Sequence, residues 1–184
     1  MSENGEGEGK YQLRTENNEI KTSSRGFTGQ GTASYENGDV YEGDFIDGKR
    51  LGTGVYRYKN GNIFEGGWDD NVKSGIGKMN YTGVGEYHGY WENGRRHGEG
   101  VFTYKNGDVY SGWWKYGQKC GYGSYLFKET GMKMTGEWKN STLSMGQWIY
   151  PNGLYFQGSF ENNKPKGDGT WYFKNGNTLA GTFE

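Results

Sequence analysis

Two prolines and a single cysteine, Cys120, are all that this chain of 184 residues contains of either type. One cysteine excludes an internal disulfide framework and fits a reducing compartment. Long apolar runs are missing as well. No stretch approaches the roughly 18 apolar residues of a membrane-spanning helix, and the opening MSENGEGEGK has no apolar core of a secretory signal. Both absences predict a soluble, intracellular protein. Charge of one sign is lacking too: the net charge is -1, so no global field selects nucleic acid or membrane. Hydrophobic residues make up only 31% and mean hydropathy is -1.05, values that on their own suggest disorder. Aromatic content contradicts that, at 17% with 7 Trp, 16 Tyr and 9 Phe.

What is present is a repeat, and such periodicity decides the fold before any other feature. Gly-x-Gly pairs begin at Gly29, Gly52, Gly75, Gly98, Gly121 and Gly167, with Ser144 at the one missing point; these positions recur every 23 residues. A second motif, aromatic-x-Gly-x-Trp/Phe, begins at Tyr41, Phe64, Tyr87, Tyr110 and Phe156, with Met134 and Leu179 as apolar substitutes. Between the two motifs lies Asn-Gly at Asn37-Gly38, Asn60-Gly61, Asn106-Gly107, Asn152-Gly153 and Asn175-Gly176. Asn-Gly between alternating segments is the strongest short hairpin signal, because these residues tolerate the positive φ of the turn. Each unit therefore reads strand, tight turn, strand, connection. No segment shows helical apolar spacing.

Alternation sorts the faces. Phe102 and Tyr104 share a face with Gly100, and Tyr110 and Trp114 share one with Gly112. A three-residue turn with a glycine bulge sets both rows on one side, with Gly100 opposite Gly112 and Phe102 opposite Tyr110. The predicted fold is all-β: an elongated, twisted, antiparallel single-layer sheet of consecutive β-hairpins, the rings lying flat over glycines. Residues 29–184 form seven hairpins. Residues 1–28 read as an irregular N-terminal segment or decayed repeat that caps the sheet, with Gly7-x-Gly9 and Asn17-Asn18 as its traces. One unit departs from the pattern: KETGMK carries an extra residue in its turn, and the connection from Lys139 to Leu143 is one shorter.

From Gly29 to Phe183 these units resemble MORN repeats. The resemblance implies an elongated antiparallel sheet used for assembly, targeting or membrane proximity, and it does not imply catalysis. Within the family the chain looks most like members built into the radial spoke heads of the ciliary axoneme. That implies cytoplasmic, axonemal placement, with other radial spoke head subunits or cytoskeletal proteins as partners.

Enzymatic motifs are weak by comparison. GEGEGK at 5–10 lacks the spacing and the Ser/Thr of a phosphate-binding loop. His88, His97 and Cys120 come from three different units without metal-ligand spacing, and no nucleophile-base-acid set can be assembled. The expectation is no enzyme, no cofactor and no metal. Two features suit a partner. One is an aromatic row, Trp68, Trp91, Tyr104, Trp114, Trp138, Trp148 and Trp171, since exposed Trp and Tyr anchor interfaces. The other is a line of bases in the connections along one edge, chiefly Lys49, Arg50, Arg95 and Arg96 with Lys73, Lys119, Lys164 and Lys166, partly offset by acids in the same loops and suited to an acidic protein or, second, to anionic membrane lipid. Nucleic acid is not expected, for want of a basic groove around the rings. Open strand edges offer a route to a homodimer.

Overall fold

The computed structural model describes residues 10–184, which divide into two compact units at Thr82/Gly83. Gly7-x-Gly9 and most of GEGEGK lie outside the described residues.

In the first unit the strands are β1 (Gln12–Thr15), β2 (Ile20–Lys21), β3 (Gly29–Ser34), β4 (Val40–Ile46), β5 (Lys49–Arg57), β6 (Ile63–Asp69) and β7 (Val72–Tyr81). They lie in the order β2-β1-β3-β4-β5-β6-β7. In the second unit β8 (Gly85–Glu92), β9 (Arg95–Tyr104), β10 (Val109–Lys115), β11 (Gln118–Leu126), β12 (Lys133–Lys139), β13 (Thr142–Ile149), β14 (Tyr155–Glu161), β15 (Lys164–Tyr172) and β16 (Thr178–Phe183) follow one another in sequence order. All pairings within each unit are antiparallel, the expected all-β array of consecutive hairpins.

Two turn types alternate. At the Asn-Gly end the Tyr104 N–H donates to the Asp108 carbonyl (2.8 Å) and the Gly107 N–H to the Tyr104 carbonyl (2.8 Å), with Gly107 at φ 86°. This is the expected three-residue turn, and it pairs Gly112 with Gly100 and Tyr110 with Phe102. The connections at the other end are hairpins as well. Their two central residues both have positive φ, as in Asp70 (42°) and Asn71 (68°), or Tyr116 (52°) and Gly117 (85°), the signature of two-residue type I′ turns.

Beside each two-residue turn the strand bulges. Register passes from Gly112–Gly123 to Trp113–Cys120, leaving Gly121 and Tyr122 as extra residues, with Gly121 at φ 55°. The first glycine of each Gly-x-Gly pair is thus there for its backbone. The irregular unit shows why. Its turn holds one more residue, closed by the Phe127 N–H to the Met132 carbonyl and the Gly131 N–H to the Phe127 carbonyl. Its bulge then holds one fewer: register passes from Glu137–Met145 to Trp138–Leu143, so Ser144 alone is extra. A one-residue bulge does not need the left-handed conformation, and serine serves.

The second glycine has a steric role. The Tyr110 ring, fully buried, lies across Gly123, where a Cβ would come within 2.8 Å of the ring carbon Cζ. Phe64 over Gly77 and Tyr87 over Gly100 repeat this, at 2.6 Å from Cε2 in each case. The tyrosine hydroxyls cap the arrangement by donating to backbone carbonyls: Tyr41 to Asp44 (3.0 Å), Tyr87 to Tyr90 (3.0 Å) and Tyr110 to Trp113 (3.1 Å). A ring folded onto its own sheet makes a core without a second layer.

Gly123→Ala should therefore cost about 1–3 kcal/mol by overpacking. Gly181→Ala, with nothing within 4 Å of its Cβ, should stay within about 0.5 kcal/mol of wild type. Urea denaturation of the two variants checks the difference.

Candidate interaction face

Tryptophans fill the spaces between the folded rings. Tyr110 meets Trp114 edge-on at 5.2 Å and Trp138 at 5.1 Å; Tyr41 meets Phe45 at 5.1 Å and Trp68 at 5.3 Å. Such T-shaped pairs are the preferred aromatic geometry. The indole N–H groups point inward, Trp68 to the Gly54 carbonyl (3.3 Å), Trp114 to Gly100 (3.2 Å) and Trp138 to Gly123 (3.0 Å). Trp68, Trp91, Trp114 and Trp138, expected as exposed anchors, are buried for this reason. Tyr104, Trp148 and Trp171 are half-buried and stay accessible. The seventh tryptophan, Trp113, points to the opposite face and is exposed there, as are Tyr90 on β8, Tyr122 on β11 and Met145 on β13. Sequence reading passed over Trp113 because it adjoins Trp114 and looks like part of the same row.

The expected basic edge divides in two. Lys49 is exposed and pairs with Asp70 at 2.7 Å, an exposed ion pair of small consequence for stability. Arg95 is exposed as well. Arg50 and Arg96 do not line the edge but fold back over the aromatic face. The Arg50 guanidinium lies 4.6 Å from the Trp68 ring and 5.2 Å from Tyr56, and its Nη2 donates to the Asn71 carbonyl (2.9 Å). Arg96 lies 4.3 Å from Trp114 and donates to the Gly117 carbonyl (2.8 Å). Two lysines belong to the same series. Lys73 sits 5.3 Å from Phe64 and 5.6 Å from Tyr58, and Lys119 sits 4.7 Å from Tyr125 and 4.9 Å from Tyr110. Burial, then the neighbouring arginine, pulls each lysine down to about 8. The sequence did hold a signal for this. Arg50, Lys73, Arg96 and Lys119 each stand four residues before the second glycine of a pair, an even spacing that puts them on the ring face.

A carboxylate ladder at the Asn-Gly end was also missed. Asp108, directly after Asn106-Gly107, accepts from the Lys128 N–H (2.9 Å), the Tyr125 hydroxyl (2.8 Å) and the Asn106 amide (3.0 Å). Asp39 does the same with Lys59 N–H (2.8 Å) and the Tyr56 hydroxyl (2.8 Å). Each staples its own turn to the next, and Asn-Gly-Asp in the sequence marks it.

His88 is exposed, while His97 places Nδ1 3.1 Å from a Glu92 carboxylate oxygen, off line for a hydrogen bond. Burial raises the Cys120 thiol. Among the described residues no three His, Cys, Asp or Glu side chains cluster as metal ligands.

The model of the MORN repeat matches residues 41–63, 64–83, 87–109, 110–130 and 156–178. Together these stretches exceed half the chain, which therefore belongs to the MORN repeat family. Each match starts at a ring that lies over glycine, and the unmatched stretch between 130 and 156 contains the one-residue bulge. No curated protein matches the sequence. Among solved structures, the chain is similar to the TCP domain of SAS-4 (dCPAP) of Drosophila melanogaster, solved in complex with a proline-rich motif of Ana2 (dSTIL). Identity is 20%, coverage 84% of each chain and the TM-score 0.52, a likeness of fold alone. The wild-type TCP10 domain of Danio rerio CPAP, at 12% identity over 94% of this chain and 99% of that one, superposes with a TM-score of only 0.32.

Acid should weaken the carboxylate ladder. Burial works against the Asp108 carboxylate, but its three donors outweigh it and hold the group below its ordinary 3.8. A pKa depressed by folding contributes stability that is present above about pH 4 and is lost as pH falls through the folded value. Urea denaturation at pH 5 and pH 3 should show wild type losing stability, and Asp108→Asn, less stable at pH 5, losing less between the two.

Proposed function

We propose that the chain is a non-catalytic scaffold that holds partner proteins on the aromatic face of its repeats, and that it serves as a radial spoke head component of the motile ciliary axoneme. The carrying observation is the face itself: in the second unit half-buried Tyr104, Trp148 and Trp171, with Arg96 recessed over Trp114, and in the first unit Arg50 recessed over Trp68. Aromatic and arginine side chains are the residues that carry binding energy at interfaces. The SAS-4 TCP domain, similar in fold, was solved with a proline-rich motif of Ana2, which supports an extended protein segment as the type of ligand. The spoke-head assignment draws on the likeness of YENGDVYEGDFIDGKRLGTGVYRYKNG, of FKETG and of ENNKPKGDGTWYF to radial spoke head protein 1.

A membrane-proximal tether, binding anionic lipid through the basic edge, is the second reading. It has less support, because Arg50 and Arg96 turn away from that edge and Lys49 is paired with Asp70.

Pull-down of the full chain from an axonemal extract, followed by mass spectrometry, tests the proposal. Spoke-head or other cytoskeletal proteins should be recovered, and Trp171→Ala should reduce their recovery several-fold while Arg95→Glu leaves it unchanged. Recovery of membrane fractions alone, or recovery lost through Arg95→Glu, contradicts it.

A further inference from the structure

One register position recurs across the chain, facing the Trp or Phe that closes the aromatic-x-Gly-x-Trp/Phe motif. Arg50 faces Phe45 there, Lys73 faces Trp68, Arg96 faces Trp91 and Lys119 faces Trp114. In the fifth and sixth hairpins the same position holds Leu143 opposite Trp138 and Pro165 opposite Phe160. Leu143 is 1% exposed, packed as a core residue. The fold therefore accepts an aliphatic side chain at this position. Half-burying a charge instead costs solvation, so packing does not explain why four hairpins in succession carry a base.

Lys119 carries the argument furthest. Its ammonium lies 4.7 Å from the Tyr125 ring, 4.9 Å from Tyr110, 5.2 Å from Trp138 and 5.3 Å from Tyr104. Ring faces attract a cation, but they leave its charge uncompensated. No carboxylate is within ion-pairing distance of Lys119 among the described residues. The Asp108 carboxylate, bonded to the neighbouring Tyr125 hydroxyl, is already engaged by Lys128 and Asn106. Arg96 acts on Lys119 as a second positive charge on the same face.

We propose that this face of the second unit binds a carboxylate-bearing, extended segment of a partner protein, with Lys119 and Arg96 as cationic anchors and the rings of Tyr104 and Tyr125 as walls. The inference rests on the protein-interaction reading above and names the chemistry of the segment. Arg50, set among Trp68, Tyr56 and Tyr35, repeats the arrangement in the first unit. A protein segment fits better than a bilayer. The cations are recessed between rings, where a side-chain carboxylate can enter and a plane of headgroups cannot follow. An ion pair formed there is screened less than one on the open edge.

The internal comparison with Leu143 supplies the test. Full-length wild type, Lys119→Leu and Lys119→Arg are titrated with a fluorescent ten-residue polyglutamate, a matching polyglutamine, and phosphatidylcholine vesicles containing phosphatidylserine. Polyglutamate should bind wild type and Lys119→Arg, and polyglutamine neither. Lys119→Leu should bind polyglutamate about tenfold more weakly or worse, the scale of one lost charge-assisted contact, with a urea midpoint no lower than that of wild type. Should Lys119→Leu fail to fold, chemical-shift mapping on wild type decides: perturbations centred on Tyr104, Lys119 and Tyr125 support the site, and perturbations elsewhere overturn it. Equal polyglutamate binding by Lys119→Leu overturns it as well, as does Lys119-dependent binding of the vesicles alone. Axonemal partners that are recovered undiminished by Lys119→Leu would defeat this inference and leave the scaffold reading standing.

Discussion

A sheet with no second layer must find its buried surface within itself, and here that requirement is met by rings laid over glycine. The Tyr110 ring can lie across β11 because Gly123 offers no Cβ, and it reaches that place because Gly112 pairs directly with Gly123. Their close approach puts a Cβ on Gly112 only 2.5 Å from the Gly123 Cα and leaves no room for a side chain at Gly112, while a Cβ on Gly123 would meet the Tyr110 ring. Glycine in a strand ordinarily weakens it. In this fold the loss is offset by a fully buried ring, whose hydroxyl finds a carbonyl and whose face receives two neighbouring tryptophans or their equivalents.

The remaining features follow from keeping that ladder in register. Both turn types close hairpins of defined length, and each turn is tied to the next. The Gly117 N–H donates to the Arg96 carbonyl (2.9 Å) and the Ser141 N–H to the Lys119 carbonyl (3.0 Å), while Asp39 and Asp108 staple the opposite end. Within each unit a hairpin therefore depends on its immediate neighbours, the nearest-neighbour stability of repeat arrays. The fifth hairpin shows which variable is conserved within the molecule. An extra turn residue is cancelled by a smaller bulge, and the Gly136–Gly146 pair stays in place.

Much of this was legible in the sequence, because glycine and Asn-Gly act through local backbone geometry. The 23-residue period, the three-residue turn and the Gly100–Gly112 and Phe102–Tyr110 pairs are all readable from spacing. The candidate site was less so. Whether Trp114 is an anchor or a core residue depends not only on Tyr110 of its own strand but on Tyr87 two strands away, and strand alternation does not count neighbours. Arg50 looks like an edge residue because it sits beside a turn, yet a long side chain can fold inward and snorkel along rings. Non-glycine residues at positive φ, such as Tyr116, are likewise set by the turn that surrounds them and not by their own preference.

The recessed cations link this architecture to the use proposed for it. A face built from stacked rings is uncharged by default, so bases placed among the rings are where the proposed anionic segment would be received. All of that presumes that the second glycine is there for the ring. The most direct measurement is a double-mutant cycle in urea denaturation with Gly123→Ala, Tyr110→Ala and the pair. If the ring is the reason for the glycine, the cost of Gly123→Ala falls to near zero in the Tyr110→Ala background, with a coupling energy of about 1–3 kcal/mol. An undiminished cost without the ring would place the constraint in the backbone and contradict the account.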